Sequence, residues 1–191
     1  MNVCIYGASS PDLDQSYFDA VYALSAELAL AGVGLVFGGG AQGLMGAAAR
    51  GFHDNGAHIL GVAPSFFNVD GILYEDCSEF IYTETMRERK QIMEDRSDAF
   101  IMVPGGIGTF EEFFEILTLK QLRRHDKAIV IYNVNGYYDK LLEMMDIAAE
   151  QKFMMDVCKK LYYVSDEPQA VVDYLRNYDA DALSSTQMKN I

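Results

Sequence analysis

One stretch carries the residue types and spacing that chemistry needs: Pro104-Gly105-Gly106-Ile107-Gly108-Thr109-Phe110-Glu111-Glu112. Its glycines leave backbone N–H groups without side-chain cover, and the helix that follows turns its positive end toward them. Such a turn binds anions, most naturally phosphate. Glu112 faces back toward the turn, so a carboxylate stands beside a phosphate cradle. Thr109-x-x-Glu112 also has the spacing of a capping box, in which both side chains satisfy N–H groups of the helix start. Upstream, Arg87, Arg89 and Lys90 gather positive charge in a chain of net charge −13. They serve either an anion site or a solvated helix face laced with i,i+4 pairs. Arginine stays protonated at neutral pH, so Arg89 can hold an anion or orient a carboxylate but cannot act as a base.

The elements that must position these groups follow from the apolar pattern. Residues 99–103 form an unbroken apolar run of strand length, and such a run is a strand buried on both faces, as in a parallel sheet. Similar runs at 3–6, 33–37, 58–62, 80–83, 128–132 and 160–164 alternate with helical patterns at 15–31, 43–55, 84–93, 107–125, 137–150 and 168–178. This alternation predicts an α/β fold, a single Rossmann-like doubly wound parallel sheet with helices on both faces, whose ligand sits at the C-terminal ends of the strands. Residues 1–178 are expected to form one nucleotide-binding catalytic domain, with 179–191 a polar tail. Residues 65–78 show no period and read as a surface connection.

A second glycine-rich turn follows the second strand. Gly38, Gly40 and Gly43 match G-x-G-x-x-G, with Gly39 between them, in the strand-to-helix setting of a dinucleotide site. The next strand, however, ends in Ala63-Pro64 and offers no carboxylate for a ribose diol. The turn reads as a phosphate-type turn or as glycines needed for helix–strand packing. No Gly-Lys-Ser/Thr follows either turn, which excludes a P-loop. After the first strand, the Ser9 and Ser10 hydroxyls either meet a ligand or, with Asp12, cap the first helix.

Composition narrows the classes. The 191 residues are 50% apolar, enough for one core. Net negative charge disfavours nucleic acid and anionic membrane surfaces. Cys4, Cys77 and Cys158 are widely spaced and odd in number, which reads as free thiols in a reducing compartment, and with no apolar run of membrane-spanning length the expected location is cytoplasmic. His53, His58 and His125 lack metal-ligand spacing, so no metal is expected, and no G-x-S-x-G elbow supports a serine hydrolase. The ten methionines and the phenylalanine-rich helix after Gly108 suit an adaptable core or subunit interface.

The sequence from Pro104 to Glu112 resembles the P-G-G-x-G-T-x-x-E signature of the LONELY GUY (LOG) family, the cytokinin riboside 5′-monophosphate phosphoribohydrolases, often labelled lysine decarboxylases. The resemblance extends through Gly38-Gly39-Gly40, Gly43-Leu44-Met45-Gly46, Met86 with Arg89-Lys90, His125-Asp126-Lys127 and residues 133–138. It implies hydrolysis of the N-glycosidic bond of an adenine-type nucleoside 5′-monophosphate, N6-substituted or plain, to free base and ribose 5-phosphate without a cofactor. The family's catalytic pair falls on Arg89 and Glu112, and its phosphate-binding turn on Gly105, Gly106, Gly108 and Thr109. Gly39, Gly40, Gly43, Met86, Lys90 and Ser9 are expected to complete the substrate site. A homodimer with the site near its interface is the family's expectation for partners. The chain departs from the pattern at Arg87, where the family usually has histidine, and at Leu119 and Arg123, where it has tryptophan and glycine. The same phosphate turns would also serve a non-catalytic nucleotide carrier or sensor.

Overall fold

The structure, a computed structural model, describes residues 1–69 and 71–180. Among the described residues seven strands and six α-helices follow one another, alternating except between β3 and β4: β1 Asn2–Tyr6, α1 Gln15–Leu30, β2 Gly34–Phe37, α2 Gly43–Asp54, β3 Ile59–Pro64, β4 Glu79–Thr83, α3 Met86–Asp95, β5 Ala99–Met102, α4 Ile107–Gln121, β6 Ala128–Tyr132, α5 Asp139–Glu150, β7 Tyr163–Ser165 and α6 Pro168–Arg176. The strands lie in the order β4-β3-β2-β1-β5-β6-β7, and every pairing is parallel.

Apolar side chains on both faces of each central strand demand cover on both sides, and the helices divide accordingly. Val3 and Ile5 of β1 face a core built with Leu24 and Leu28 of α1, Ala48 and Phe52 of α2, and Val171 and Leu175 of α6. Cys4 and Tyr6, the alternate residues, face a second core with Met93 of α3, Phe113 and Leu117 of α4, and Met145 of α5. The sheet is therefore doubly wound. From the centre the chain builds outward through β2, β3 and β4 on one side of β1, then through β5, β6 and β7 on the other. Loops leaving β1 and β5 diverge at this switch point and open a crevice at the carboxyl edge, where ligands of such sheets bind.

Local chemistry sets the element ends, in places differently from the sequence pattern. Asp14, rather than Ser9, Ser10 or Asp12, caps α1, its carboxylate accepting from Ser16 N at 3.0 Å. Helix α3 starts two residues later than its pattern because Thr85 caps it, accepting from Glu88 N at 3.1 Å while Glu88 accepts from Glu84 N at 2.9 Å. Helix α4 stops at Gln121 rather than near His125. Arg124 N there donates to Leu119 O and Arg123 N to Lys120 O, a Schellman closure that puts Arg123 at φ 58°. Residues 156–160 form a 3₁₀ turn, which delays β7 to Tyr163. The 65–78 connection opens with a 3₁₀ turn, Ser65–Phe67, and returns to the second glycine turn through Ala41 N donating to Ile72 O and Tyr74 N to Gly39 O. Of the expected tail at 179–191, residues 181–191 lie outside the described residues.

Candidate functional site

Two helices bring the basic cluster and the carboxylate together. Arg89 occupies the first turn of α3 and is 6% exposed. Its Nε donates to Val62 O at 3.2 Å, and its Nη1 to Glu112 Oε1 on α4 at 2.9 Å. The guanidinium reaches this place across Gly38: a Cβ there would overlap its outer nitrogen. Burial pushes the Glu112 carboxyl above the ordinary carboxylate range, and the Arg89 charge and hydrogen bond oppose that shift without cancelling it. Among the described residues, Glu112 Oε2 has no hydrogen-bond donor, and both side chains line one cavity.

The turn between β5 and α4 supplies donors to the same cavity. Gly106 is the N-cap of α4 and offers no side chain to the helix start. The first hydrogen bond of the helix runs from Phe110 N to Gly106 O at 3.0 Å. The N–H groups of Ile107, Gly108 and Thr109 thus find no acceptor among the described residues, the condition of a helix end that attracts an anion. The capping-box reading of Thr109 and Glu112 does not hold. Thr109 is the third helical residue rather than the cap, its side chain folds against Gly105, and Glu112 is turned onto Arg89. A cap of that kind operates instead at Thr85 and Glu88 on α3.

The second glycine turn behaves differently. Leu44 N and Met45 N at the start of α2 both donate to Ala8 O, at 2.8 and 3.3 Å, so these donors are already used inside the protein. Gly43, at φ 62°, lets α2 approach the backbone of Ala8 and Ser9, where a Cβ would collide. Gly39, at φ 78°, lies under the Phe80 ring. The packing reading fits Gly39 and Gly43, while Gly40 lines the cavity.

The cavity has a volume of about 570 Å³, within the range that encloses a small organic ligand. Ser9, Gly40, Met86, Arg89, Gly106, Gly108, Thr109 and Glu112, all expected from the sequence, line it. Gly39, Gly43 and Gly105 stand behind the lining, where they shape the backbone. Lys90 is not among the lining residues: it turns away onto Glu111 and Glu115, the latter at 2.7 Å, and ties α3 to α4. Arg87 is exposed.

Sequence reasoning missed the apolar wall. Met45, Phe67, Ile72 and Leu73 line the cavity, the last two carried back by the hydrogen bonds at Gly39 and Ala41. The available signal was a run of large apolar side chains, Phe66, Phe67, Val69 and Ile72, in a stretch without secondary-structure period. Apolar residues of that size in a surface connection call for a burial partner or a ligand.

Comparison with known proteins agrees with this arrangement. A family model described as possible lysine decarboxylase matches residues 45–175. A probable cytokinin riboside 5′-monophosphate phosphoribohydrolase of Arabidopsis thaliana, LOG6, is 39% identical over 84% of this chain and 80% of its own length. LOG2 of the same plant, a cytokinin riboside 5′-monophosphate phosphoribohydrolase, is 36% identical over 92% of this chain and 83% of its own. LOGL3 of Oryza sativa subsp. japonica, with the same description marked probable, is 37% identical with the same coverages. Among solved structures, a molybdenum cofactor binding protein from Rippkaea orientalis superposes with a TM-score of 0.68 at 19% identity, covering 92% of this chain and 93% of that one. The Moco carrier protein of Chlamydomonas reinhardtii gives 0.68 at 20%, covering 92% and 94%. At that identity the structural likeness establishes the fold alone, whereas the sequence relatives go further: the chain belongs to the LOG family of cytokinin riboside 5′-monophosphate phosphoribohydrolases.

Proposed function

We propose that this chain hydrolyses the N-glycosidic bond of an adenine-type nucleoside 5′-monophosphate, plain or N6-substituted as in a cytokinin nucleotide. The observation that carries the reading is the meeting of the Arg89–Glu112 pair and the unspent α4 N–H groups in one cavity. The names of the relatives support the substrate class.

In the reaction, water adds its oxygen to C1′ of the ribose and the C1′–N bond breaks with its electron pair on the base. The proton lost by water ends on the base, so free base and ribose 5-phosphate are the products. Positive charge builds on the sugar as the bond breaks, and the Glu112 carboxylate, turned into the cavity, stabilises it and orients the water. The Arg89 charge favours the ionised form of that carboxylate against its burial, and Arg89, itself held by Val62 O, fixes the carboxylate's direction through one hydrogen bond. The α4 N-terminus takes the phosphate through Gly106, Ile107, Gly108 and Thr109, and Ser9 offers a hydroxyl from the β1 side. Met86 and the wall of Phe67, Ile72 and Leu73 suit a flat, weakly polar base. Holding phosphate and base at two ends fixes C1′ beside Glu112, and such positioning supplies much of the rate.

Residues 1–178 act as one catalytic domain in this reading. The unit is a homodimer with the site near its interface, a reading supported by Ile107, 86% exposed on the cavity rim, and by exposed Phe114 on the same helix. Three free cysteines, two of them buried, suit a reducing cytoplasm. No helix among the described residues is long and apolar enough to cross a membrane. The decarboxylase description of the family model gains no support from the cavity, since no lysine is found in its lining.

The test incubates purified protein with AMP and with N6-isopentenyl-AMP, beside Glu112→Gln, and quantifies free base and ribose 5-phosphate by chromatography. Equal release of both products by the wild type, with turnover in the variant reduced by about 10²–10⁴, is the expected result. Thermal stabilisation by both nucleotides without base release would replace hydrolysis with the carrier or sensor reading.

A further inference from the structure

Three consecutive carbonyls at the end of β5 are each held from outside the turn. Tyr138 Oη donates to Val103 O at 2.7 Å, Ala8 N to Pro104 O at 3.0 Å, and Tyr137 Oη to Gly105 O at 2.8 Å. Across a planar trans peptide, the C=O of one residue and the N–H of the next point in opposite directions. Holding the Gly105 carbonyl therefore aims Gly106 N–H the other way, and holding the Pro104 carbonyl does the same for Gly105 N–H; the Val103 carbonyl held by Tyr138 is followed by Pro104, which has no N–H, so that bond fixes the strand end and aims no donor. Gly106 lines the cavity, and a Cβ at Gly106 or Gly108 would meet nothing, so at those two positions no side-chain packing fixes the donor directions.

The two tyrosines are themselves firmly placed. They follow a 3₁₀ turn, Val134–Gly136, in which Asn135 and Gly136 take φ of 54° and 67°. Asn133 accepts from Tyr138 N at 2.7 Å and donates to Asp139 at 2.7 Å, locking the start of α5. The Tyr137 and Tyr138 rings pack edge to face at 4.8 Å, and Tyr17 of α1 packs on Tyr137 at 6.1 Å. Tyr138 is 1% exposed, so its hydroxyl is committed to Val103, while Tyr137 is 43% exposed and spans the outer edge of the turn. Neither residue lines the cavity.

We infer that Tyr137 is a positioning residue for the substrate's phosphate: its hydroxyl pulls the Gly105 carbonyl outward and so presents the Gly106 N–H to the anion. This rests on the reading of that turn as the phosphate cradle. It assigns a task to a turn whose sequence suggests only a helix start, and it makes the segment after β6 part of the recognition apparatus.

The experiment compares wild type with Tyr137→Phe and a control, Tyr178→Phe, which removes a tyrosine-to-carbonyl bond at Asp126, outside the cavity. Calorimetric binding of ribose 5-phosphate and of adenosine is measured for each, together with kcat and KM for AMP. A lost hydrogen bond that acts only through the phosphate is expected to weaken ribose 5-phosphate about three- to tenfold in Tyr137→Phe, to raise KM for AMP similarly, and to leave adenosine binding and kcat within about twofold. The control changes none of them. General loss of stability would not move the ratio of the two affinities, and Tyr137, being at the surface, can lose its hydroxyl without disturbing the core. Unchanged ribose 5-phosphate affinity in Tyr137→Phe overturns the inference, as does failure of the wild type to bind ribose 5-phosphate. A wild type that binds ribose 5-phosphate but releases no base from AMP overturns the hydrolytic function and leaves this inference to be judged on the binding ratio.

Discussion

Gly38 and Arg89 share one space: the guanidinium of Arg89 lies where a side chain at position 38 would begin. The glycine that follows β2 is thus a clearance for the residue that orients Glu112. The constraint is steric and needs no unusual backbone angle, since Gly38 is not among the positive-φ glycines.

Gly38→Ala should accordingly act on chemistry more than on folding. The atom displaced is the far end of a long side chain, which can swing aside, but its hydrogen bonds to Val62 and Glu112 go with it. We expect kcat for AMP to fall at least tenfold, the effect of misplacing a catalytic group by an ångström or so. The melting temperature should stay within a few degrees of the wild type. A variant with full turnover would show that Arg89 is not needed where it stands.

The buried pair also sets a pH dependence. Burial holds the Glu112 carboxyl above its ordinary pKa and Arg89 pulls against that rise. Because the reaction uses the carboxylate, kcat/KM should fall as pH drops through a value above the ordinary glutamate range of about 4.3. Removing the guanidinium in Arg89→Met takes away the opposing influence, so the carboxyl should titrate still higher. Carbon-13 titration of the glutamate carboxyls, with Glu112→Gln to assign the signal, reads both shifts directly, and no upward movement in Arg89→Met would break the argument.

Much of this was legible before any coordinates. Unalternating apolar runs required parallel strands covered on both faces, and alternation with helical patterns required the double winding. Arg89 and Glu112 were legible as a pair through the resemblance to the family signature, and they meet because α3 and α4 cover the same face of the sheet. Lys90 was not: nothing in Arg89-Lys90 says that adjacent residues diverge, one inward and one onto Glu111 and Glu115. The apolar wall around Phe67 was hidden for a related reason. Its position comes from the hydrogen bonds of Ala41 to Ile72 and Tyr74 to Gly39, long-range contacts that leave no period in the sequence. Thr109 and Glu112 matched a capping box by spacing alone, and the contest was decided by Gly106 serving as the cap.

One departure from the family pattern carries a measurable cost. Arg123 closes α4 at φ 58°, the left-handed region in which a β-carbon is strained and glycine is not. Arg123→Gly relieves the strain and surrenders some chain entropy in the unfolded state, for a net gain of about 0.5–1 kcal/mol. For a chain of 191 residues that is a rise of about 1–4 °C in melting temperature. Activity should be unchanged, since Arg123 does not line the cavity. A fall in melting temperature would mean that the arginine side chain contributes more than its backbone costs.

Lys120 gives a prediction on stability alone. Its ammonium lies on α4, 3% exposed, donating to Leu161 O at 2.8 Å and resting 5.0 Å from the centre of the Tyr178 ring. Burial pulls its pKa down to about 8 from 10.5, with Asp126 opposing. Below the folded value both states hold the proton and the cost of burying the charge is constant. Between the folded and unfolded values the unfolded chain binds more protons, so this group makes stability rise with pH, by at most about 1.4 kcal/mol per pH unit. Cys4 and Cys77, held up to about 12 and about 11, push the other way, because their unfolded thiols ionise near 9.0 while the folded ones do not. Those groups are common to the wild type and to Lys120→Met, so the difference in urea unfolding free energy between the two proteins isolates Lys120. That difference should shift in favour of the wild type from about pH 8 to about pH 10 and stay level below about pH 7. A difference flat across the whole range would show that Lys120 keeps an ordinary ammonium in the folded protein.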